Sequence, residues 1–133
     1  MRKVVLDTNV LVSALWSNQG NPYKILEMFF QGEIMLYYNH EIMDEYSEVL
    51  HREKLGFPKN KVRNLLNEIM SKAVFAESPK SKMHFIDESD RKFFDLAKYY
   101  EARLITGNTR HYPSESCVVT PHEFLKDSSH NNI

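Results

Sequence analysis

Residues 4–15 have the sequence VVLDTNVLVSAL, an apolar run that stops at an acid and is followed by a second apolar stretch. The segment RKVVL at residues 2–6 is short, β-branched and bounded by Asp7, which is typical of a buried strand. From Thr8 to Trp16, apolar residues then cover a wide face, as in a packed helix. This part of the chain therefore predicts a strand, a turn at Asp7 and a helix.

The alternation of strand and helix patterns continues to the end of the chain. Helical spacing follows Pro22, Asn39, Gly56 and Asp90, and a short terminal helix is predicted after Pro121. This pattern predicts a single-domain α/β/α sandwich around a mostly parallel sheet, with the domain at residues 1–126 and a disordered tail at 127–133. The predicted strands are residues 2–6, 34–38, 73–76, 104–106 and 117–119.

The composition is that of one domain without a strong overall charge. The chain has 133 residues, 42% of them hydrophobic, and 17 Lys and Arg against 18 Asp and Glu. There is no global basic signal, so any affinity for nucleic acid has to be local. The single Cys117 excludes an internal disulfide, and it suits a reducing cytoplasm and a place in the core. The N-terminal apolar run ends at Asp7, too early for a signal peptide or a membrane span.

Candidate functional residues lie in four polar segments, and three of these have an ordinary structural explanation when taken alone. Asp7, Thr8 and Asn9 offer hard oxygen donors that suit Mg²⁺ or Mn²⁺, but taken alone this tripeptide favours the interpretation that Asp7 caps the next helix. The helix around Glu45 carries several acids, which are usually solvated, and the spacing does not single out Glu45. Thr106 and Asn108 belong to a Gly–Asn turn, which is the default interpretation of that segment.

Asp87, Glu88 and Asp90 form the fourth segment, at a predicted helix start. The helix dipole accounts for one or two acids at such a position. Three acids within four residues repel one another unless solvent, a neighbouring Lys or Arg, or a cation offsets them. A metal ion is therefore a candidate partner of this segment.

The order of the four segments resembles the PIN-domain family. The motifs that carry the resemblance are VVLDTNVLVSAL, EIMDEYSEVL, DESDRKFFDLA and LITGN. They span the chain from residue 3 to about residue 112, and the likeness is greatest to the branch that contains toxins of toxin–antitoxin pairs.

The resemblance implies which residues form the site. Asn108 stands where the family often has Asp, and the missing charge should weaken a second cation. By the resemblance, the catalytic positions are Asp7, Glu45, Asp90 and Asn108, the metal ligands are Asp7, Glu45, Asp90 and Asp87, and Thr8 and Thr106 are polar residues beside them.

A cluster of carboxylates that holds Mg²⁺ or Mn²⁺ can place a water for in-line attack on a phosphodiester. The resemblance implies a metal-dependent endoribonuclease that cuts RNA and is held inactive by an antitoxin protein. A non-catalytic RNA-binding or protein-interaction module with the same fold remains an alternative. A phosphatase with an Asp7 nucleophile is disfavoured, because a second Asp is missing two residues later, where Asn9 stands.

Adjacent aromatic residues point to a partner surface. Neighbours on a helix cannot both face one core, so the pairs Phe29–Phe30 and Tyr37–Tyr38 are expected to leave apolar area exposed. This surface would serve an antitoxin or a second copy of the chain.

Overall fold

Five parallel strands form the centre of the computed structural model, which describes residues 1–128. The strand order across the sheet is β3-β2-β1-β4-β5, and every neighbouring pair runs parallel. The predicted parallel sheet is thereby confirmed. The strands are β1 Arg2–Leu6, β2 Ile34–Tyr38, β3 Val74–Phe75, β4 Arg103–Ile105 and β5 Val118–Val119.

Helices flank the sheet and complete the α/β/α sandwich. Asn39 caps its helix as predicted, because its Oδ1 accepts the Ile42 N–H at 2.8 Å. Gly32 follows the second helix with a φ of +75°, a left-handed conformation that glycine adopts without strain. The helices are α1 Thr8–Trp16, α2 Asn21–Phe30, α3 His40–Leu50, α4 Lys59–Lys72, α5 Arg91–Tyr99 and α6 Pro121–Ser128, with 3-10 turns at Glu53–Leu55, Glu88–Asp90 and Thr109–His111.

Helix α6 continues through Ser128, two residues beyond the predicted domain end at residue 126. The rest of the predicted tail, residues 129–133, lies outside the described residues. No helix within residues 1–128 combines the length and the apolar character that crossing a bilayer requires.

The central strand lies in the core between the two helical layers. Val4, Val5 and Leu6 of β1 have no exposed surface, as expected for a parallel strand that is covered on both faces. Leu104 and Ile105 of the neighbouring β4 are buried to the same degree. Burial continues up to the carboxyl ends of these strands, so any polar side chain that follows them lies at the edge of the core.

The prediction for the aromatic pairs was right for one pair and wrong for the other. Phe29 is buried and Phe30 is 37% exposed, as neighbours on a helix must be. Tyr37 and Tyr38 are both buried, because they lie on β2 inside the sheet, where opposite faces are both covered. The Tyr pair therefore leaves no apolar surface for a partner.

The strand order fixes where a ligand can bind. The chain builds the sheet outward from β1 through β2 to β3, and then from β4 to β5 on the other side of β1. The crevice at the carboxyl ends of β1 and β4 is the point where this order reverses, and open α/β sheets bind ligands at such points. The N–H of Asp7 donates to the Ile105 carbonyl at 3.0 Å, which places the two strand ends side by side.

Candidate functional site

Asp7 lies at the bottom of this crevice. It occupies the N-cap position of α1, yet its side chain makes no capping hydrogen bond. Its Oδ2 instead accepts hydrogen bonds from Thr106 Oγ1 at 2.9 Å and from the Tyr112 hydroxyl at 2.8 Å. The carboxylate is only 8% exposed. Since Oδ2 is bound by two hydroxyls from the other end of the chain, capping of α1 alone does not account for Asp7.

The surroundings of Asp7 hold a buried negative charge in place. Burial raises the pKa of Asp7, and the negative charge of Glu45 adds to this rise. The hydrogen bonds from Tyr112 and Thr106 oppose it, and the backbone N–H of Asn9 opposes it least. Burial, together with the charge of Asp7, raises the pKa of Tyr112, which keeps this hydroxyl protonated as a donor. The protein thus compensates in part for a carboxylate that water hardly reaches.

Glu45 reaches the same place from α3. The next residue, Tyr46, is fully buried and donates its hydroxyl to the Leu6 carbonyl at 2.5 Å, directly before Asp7. This contact ties α3 to the end of β1. Glu45 Oε2 accepts a hydrogen bond from the Thr8 hydroxyl, and Oε1 lies 2.8 Å from Lys92 Nζ.

Of the other acids of α3, Glu41 is exposed, and the remaining two have partners on the surface. Asp44 lies 3.6 Å from His40, and Glu48 forms a pair with Arg52 at 2.7 Å. Both side chains are more than half exposed, whereas Glu45 is 25% exposed. The structure therefore selects Glu45 from an acidic helix in which the spacing of residues alone could not.

Asp90 enters the cluster at the start of α5. Its side chain is 14% exposed and its buried Oδ2 accepts no hydrogen bond from the described residues. His111 Nδ1, at 3.8 Å, is too distant to donate one. Burial raises the pKa of Asp90 to about 6, and the charges of Asp7, Asp87 and Glu45 contribute to the rise. Carboxylates from three separate segments are thus close enough to repel one another.

Glu88 does not join the cluster although it lies within the same acidic turn. Arg91 Nε and Nη2 hold its carboxylate at 2.8 and 2.9 Å. The same guanidinium donates to the Ser81 carbonyl at 2.7 Å and to the Met83 carbonyl at 2.5 Å. Arg91 therefore fixes the preceding connector against α5 and removes one of the three acids from the site.

Asp87 and Asn108 lie at the rim. Both side chains are exposed. Asp87 Oδ1 accepts the N–H and the hydroxyl of Ser89, each at 2.9 Å, and these bonds lower its pKa. The Asn108 amide nitrogen lies 3.1 Å from Nε2 of His111. The cluster itself comprises Asp7, Glu45 and Asp90 with the hydroxyls of Thr8 and Thr106, whereas Asp87 and Asn108 border it.

Three further residues support the site and were not predicted as parts of it. Tyr46 and Tyr112 donate their hydroxyls as described above. Asn9 joins the two strand ends, since its Oδ1 accepts the Gly107 N–H at 3.0 Å and its Nδ2 lies 3.4 Å from Thr106 Oγ1. Tyr112 lies in an irregular segment without periodicity, so no local pattern points to it. For Asn9, the adjacency to Asp7 and Thr8 was a usable sign.

The donor chemistry of the cluster fits a divalent metal ion. Carboxylate and hydroxyl oxygens are the ligands that Mg²⁺ and Mn²⁺ prefer. The orphaned oxygen of Asp90 and its raised pKa indicate negative charge that lacks a positive partner. Within residues 1–128, however, no three His, Cys, Asp or Glu side chains are already arranged to hold one ion. Asp7 and Glu45 are instead bound by neighbouring groups: Thr106 donates to Asp7, and Thr8 and Lys92 contact Glu45.

This fold, with an acidic cluster beyond adjoining central strands, defines the class of the protein as a PIN-like α/β domain. The PIN domain family profile matches residues 3–110, and the chain belongs to that family. The uncharacterized protein MJ1680 of Methanocaldococcus jannaschii is 34% identical over 111 residues, which cover 80% of this chain and 70% of that protein.

A solved structure shares the fold. The crystal structure of VapBC2 from Rickettsia felis bound to a DNA fragment from their promoter contains a chain that aligns with a TM-score of 0.58 and 18% identity. The alignment covers 89% of this chain and 96% of that chain. Such low identity establishes similarity of fold and nothing more specific.

Proposed function

We propose that this protein is a metal-dependent endoribonuclease and the toxin component of a toxin–antitoxin pair in the cytoplasm. The proposal rests on one observation: Asp7, Glu45 and Asp90 come from distant segments and meet beyond the ends of β1 and β4. Membership of a family whose members are generally nucleases supports this interpretation.

In this proposal the three carboxylates hold Mg²⁺ or Mn²⁺, and Asp87 offers a further oxygen from the rim. When bound, the ion stabilises negative charge on the phosphoryl oxygens and activates a water. Thr106 and Tyr112 keep the Asp7 carboxylate oriented through bonds of 2.9 and 2.8 Å to a single oxygen, Oδ2. Burial of Asp7 and the apolar ends of the strands exclude other water from the base of the crevice.

Substrate contact falls to exposed groups at the rim. Arg110 and His111 lie two and three residues after Asn108 and are exposed, in a position to meet RNA phosphates. Asn108 adds an uncharged amide that can hydrogen bond to a phosphate or a base without repelling it. These local groups give a chain of net charge -1 an anchor for a polyanion.

An antitoxin partner is supported by the toxin-like sequence motifs and by the fold shared with VapBC2. The surface also offers apolar area for a protein partner. Trp16 is 64% exposed and contacts Phe57 edge to face, with 5.8 Å between ring centroids. Exposed aromatic side chains of this kind are enriched where proteins bind one another. A second copy of the chain could cover the same surface.

The test is cleavage of a fluorescent RNA by the purified chain. Mn²⁺ or Mg²⁺ should support cleavage, EDTA should abolish it, and Asp7→Asn should reduce it by at least about 100-fold while the circular dichroism spectrum stays unchanged. Glu48→Gln is the matched control, because Glu48 lies one turn from Glu45 but pairs with Arg52 at the surface. Cleavage that survives EDTA, or that Asp7→Asn leaves intact, would contradict the proposal.

A non-catalytic RNA-binding module is the second candidate. The observation in its favour is Asn108, which carries no charge where the family often has Asp and whose amide lies against His111. This alternative predicts RNA binding that is detectable by fluorescence anisotropy, with no cleavage under any metal condition. Asn108→Asp would then be expected to restore cleavage.

A further inference from the structure

Lys92 places a positive charge inside the acidic cluster. It is the second residue of α5, and its ammonium lies 2.8 Å from Glu45 Oε1 and also donates to the Ser89 carbonyl. The first turn of a helix is the positive end of its dipole, where a cation is unfavourable. The position of Lys92 is therefore not explained by the stability of α5 itself.

The pair between Lys92 and Glu45 differs from the ion pairs of Lys72 and Lys98. The Lys92 side chain is 11% exposed, whereas Lys72 and Lys98 are 48% and 49% exposed in their pairs. Covering a lysine in this way costs side-chain entropy and hydration. Such a cost is not expected for an incidental surface contact.

We propose that Lys92 is a built-in counter-ion of the acidic site, which neutralises Glu45 while no metal is bound and releases it when a divalent ion enters. This inference rests on the proposed metal site. It explains why Glu45, Asp7 and Asp90 are not already arranged around one ion in residues 1–128. The Glu45 carboxylate binds Thr8 and Lys92 instead of facing the other two acids.

The released ammonium has a place to go. Lys92 lines a cavity of about 160 Å³ beside the cluster. Arg91 and Lys80 also line this cavity, and Arg91 is paired with Glu88, so Glu41 and Glu77 are the carboxylates that a lysine leaving Glu45 would meet there. A rotation of the side chain is enough for this exchange, and the backbone of α5 can stay in place.

Removal of a competing cation should strengthen metal binding. Lys92→Met keeps an apolar stem and deletes the charge, and we expect it to bind Mn²⁺ about fivefold more tightly in isothermal titration calorimetry. Lys98→Met, on the same helix, is the control, since Lys98 pairs with Glu115 at 2.6 Å at the surface and should leave the affinity unchanged. If Lys92 only held Glu45 in place, its loss would weaken binding. Weaker or unchanged binding would overturn the inference.

Asp7→Asn separates this inference from the proposed function. If Mn²⁺ binds the wild-type chain and Asp7→Asn does not affect it, the proposed metal site itself is wrong. If Asp7→Asn removes Mn²⁺ binding and Lys92→Met fails to strengthen it, only the role of Lys92 is wrong.

A measurement on the wild-type chain covers the case in which Lys92→Met does not fold. In ¹⁵N spectra of lysine side chains, the Lys92 ammonium should be protected from solvent exchange in EDTA, because it is paired and covered. Saturating Mg²⁺ should remove that protection and leave the Lys98 signal unchanged. A Lys92 signal that stays protected with Mg²⁺ bound would refute the exchange.

Discussion

Asp90→Asn should make the metal-free protein more stable, although it removes one of the three carboxylates of the proposed site. The Asp90 carboxylate is mostly covered, and its Oδ2 has no hydrogen-bond donor among residues 1–128. Burial, with a further contribution from the charges of three other carboxylates, raises its pKa to about 6. In the unfolded chain the pKa returns to about 3.8. The ionised form is therefore penalised by folding, and an uncharged side chain of the same shape avoids that penalty.

The size of the effect follows from this difference in pKa. A rise from 3.8 to about 6 corresponds to about 3 kcal/mol at about 1.4 kcal/mol per pKa unit. The cluster opens towards solvent, which screens the repulsion, so about half of this value should be observed. We expect Asp90→Asn to raise the free energy of unfolding by about 1–2 kcal/mol at pH 7.5 in EDTA.

The stability difference between Asp90→Asn and the wild-type chain should depend on pH. Because the pKa of Asp90 is higher in the folded state, the penalty is complete above about pH 6 and absent below about pH 4. The advantage of Asp90→Asn should therefore shrink as the pH falls from 7 to 4. Urea unfolding followed by tryptophan fluorescence at a series of pH values measures it.

Asp87→Asn is the matched control. Hydrogen bonds from Ser89 lower the pKa of Asp87, so the loss of this charge should cost stability, and the relief of its repulsion with Asp90 should offset only part of that cost. A destabilised Asp90→Asn variant at pH 7.5, or an advantage that stays constant down to pH 4, would refute the reasoning. Added Mn²⁺ should reverse the ranking, because the wild-type chain gains a bound ion and the variant loses a ligand.

Two further predictions concern residues that support the fold around the site. Tyr112→Phe should lower the free energy of unfolding by about 1.5–3 kcal/mol, because it removes a hydrogen bond to the buried Asp7 carboxylate. In urea titrations the loss should be smaller when Asp7→Asn is also present, and an equal loss in both backgrounds would show that the bond does not matter. Glu101→Gly should raise the urea midpoint by an amount equivalent to about 0.5–1 kcal/mol. Glu101 is exposed and has a φ of 55° just after α5, a position where glycine is the usual residue, and a lower midpoint would contradict this prediction.

Local patterns were enough to predict the fold, because each strand and helix is specified by residues near one another in the sequence. The apolar run before Asp7, Val4 to Leu6, has the predicted burial. The pair Tyr37–Tyr38 was misjudged, since its exposure depends on whether other elements cover both faces of β2. That information is not local.

The site was predictable only in part for a related reason. Whether Asp7 caps α1 or faces the crevice depends on the hydroxyls of Thr106 and Tyr112, which belong to the other end of the chain. Glu45 is selected through the contact of Tyr46 with Leu6. Physical reasoning about neighbours in sequence cannot supply such contacts, so the assignment of these residues relied on resemblance to a family.

The site residues lie at the boundary of the apolar core, where they are buried although they are polar. Leu6 and Ile105 are fully buried and apolar, and the next residue on each strand, Asp7 or Thr106, is buried and polar. At this boundary each polar group costs hydration, which the Thr106 and Tyr112 hydroxyls and the Lys92 ammonium offset only in part. The negative charge that these groups leave uncompensated lies mainly on Asp90, whose Oδ2 has no hydrogen-bond donor among residues 1–128. A cation that enters the crevice would meet this oxygen. A cluster that is destabilising by itself is therefore placed where a bound ion would convert the same charges into binding energy.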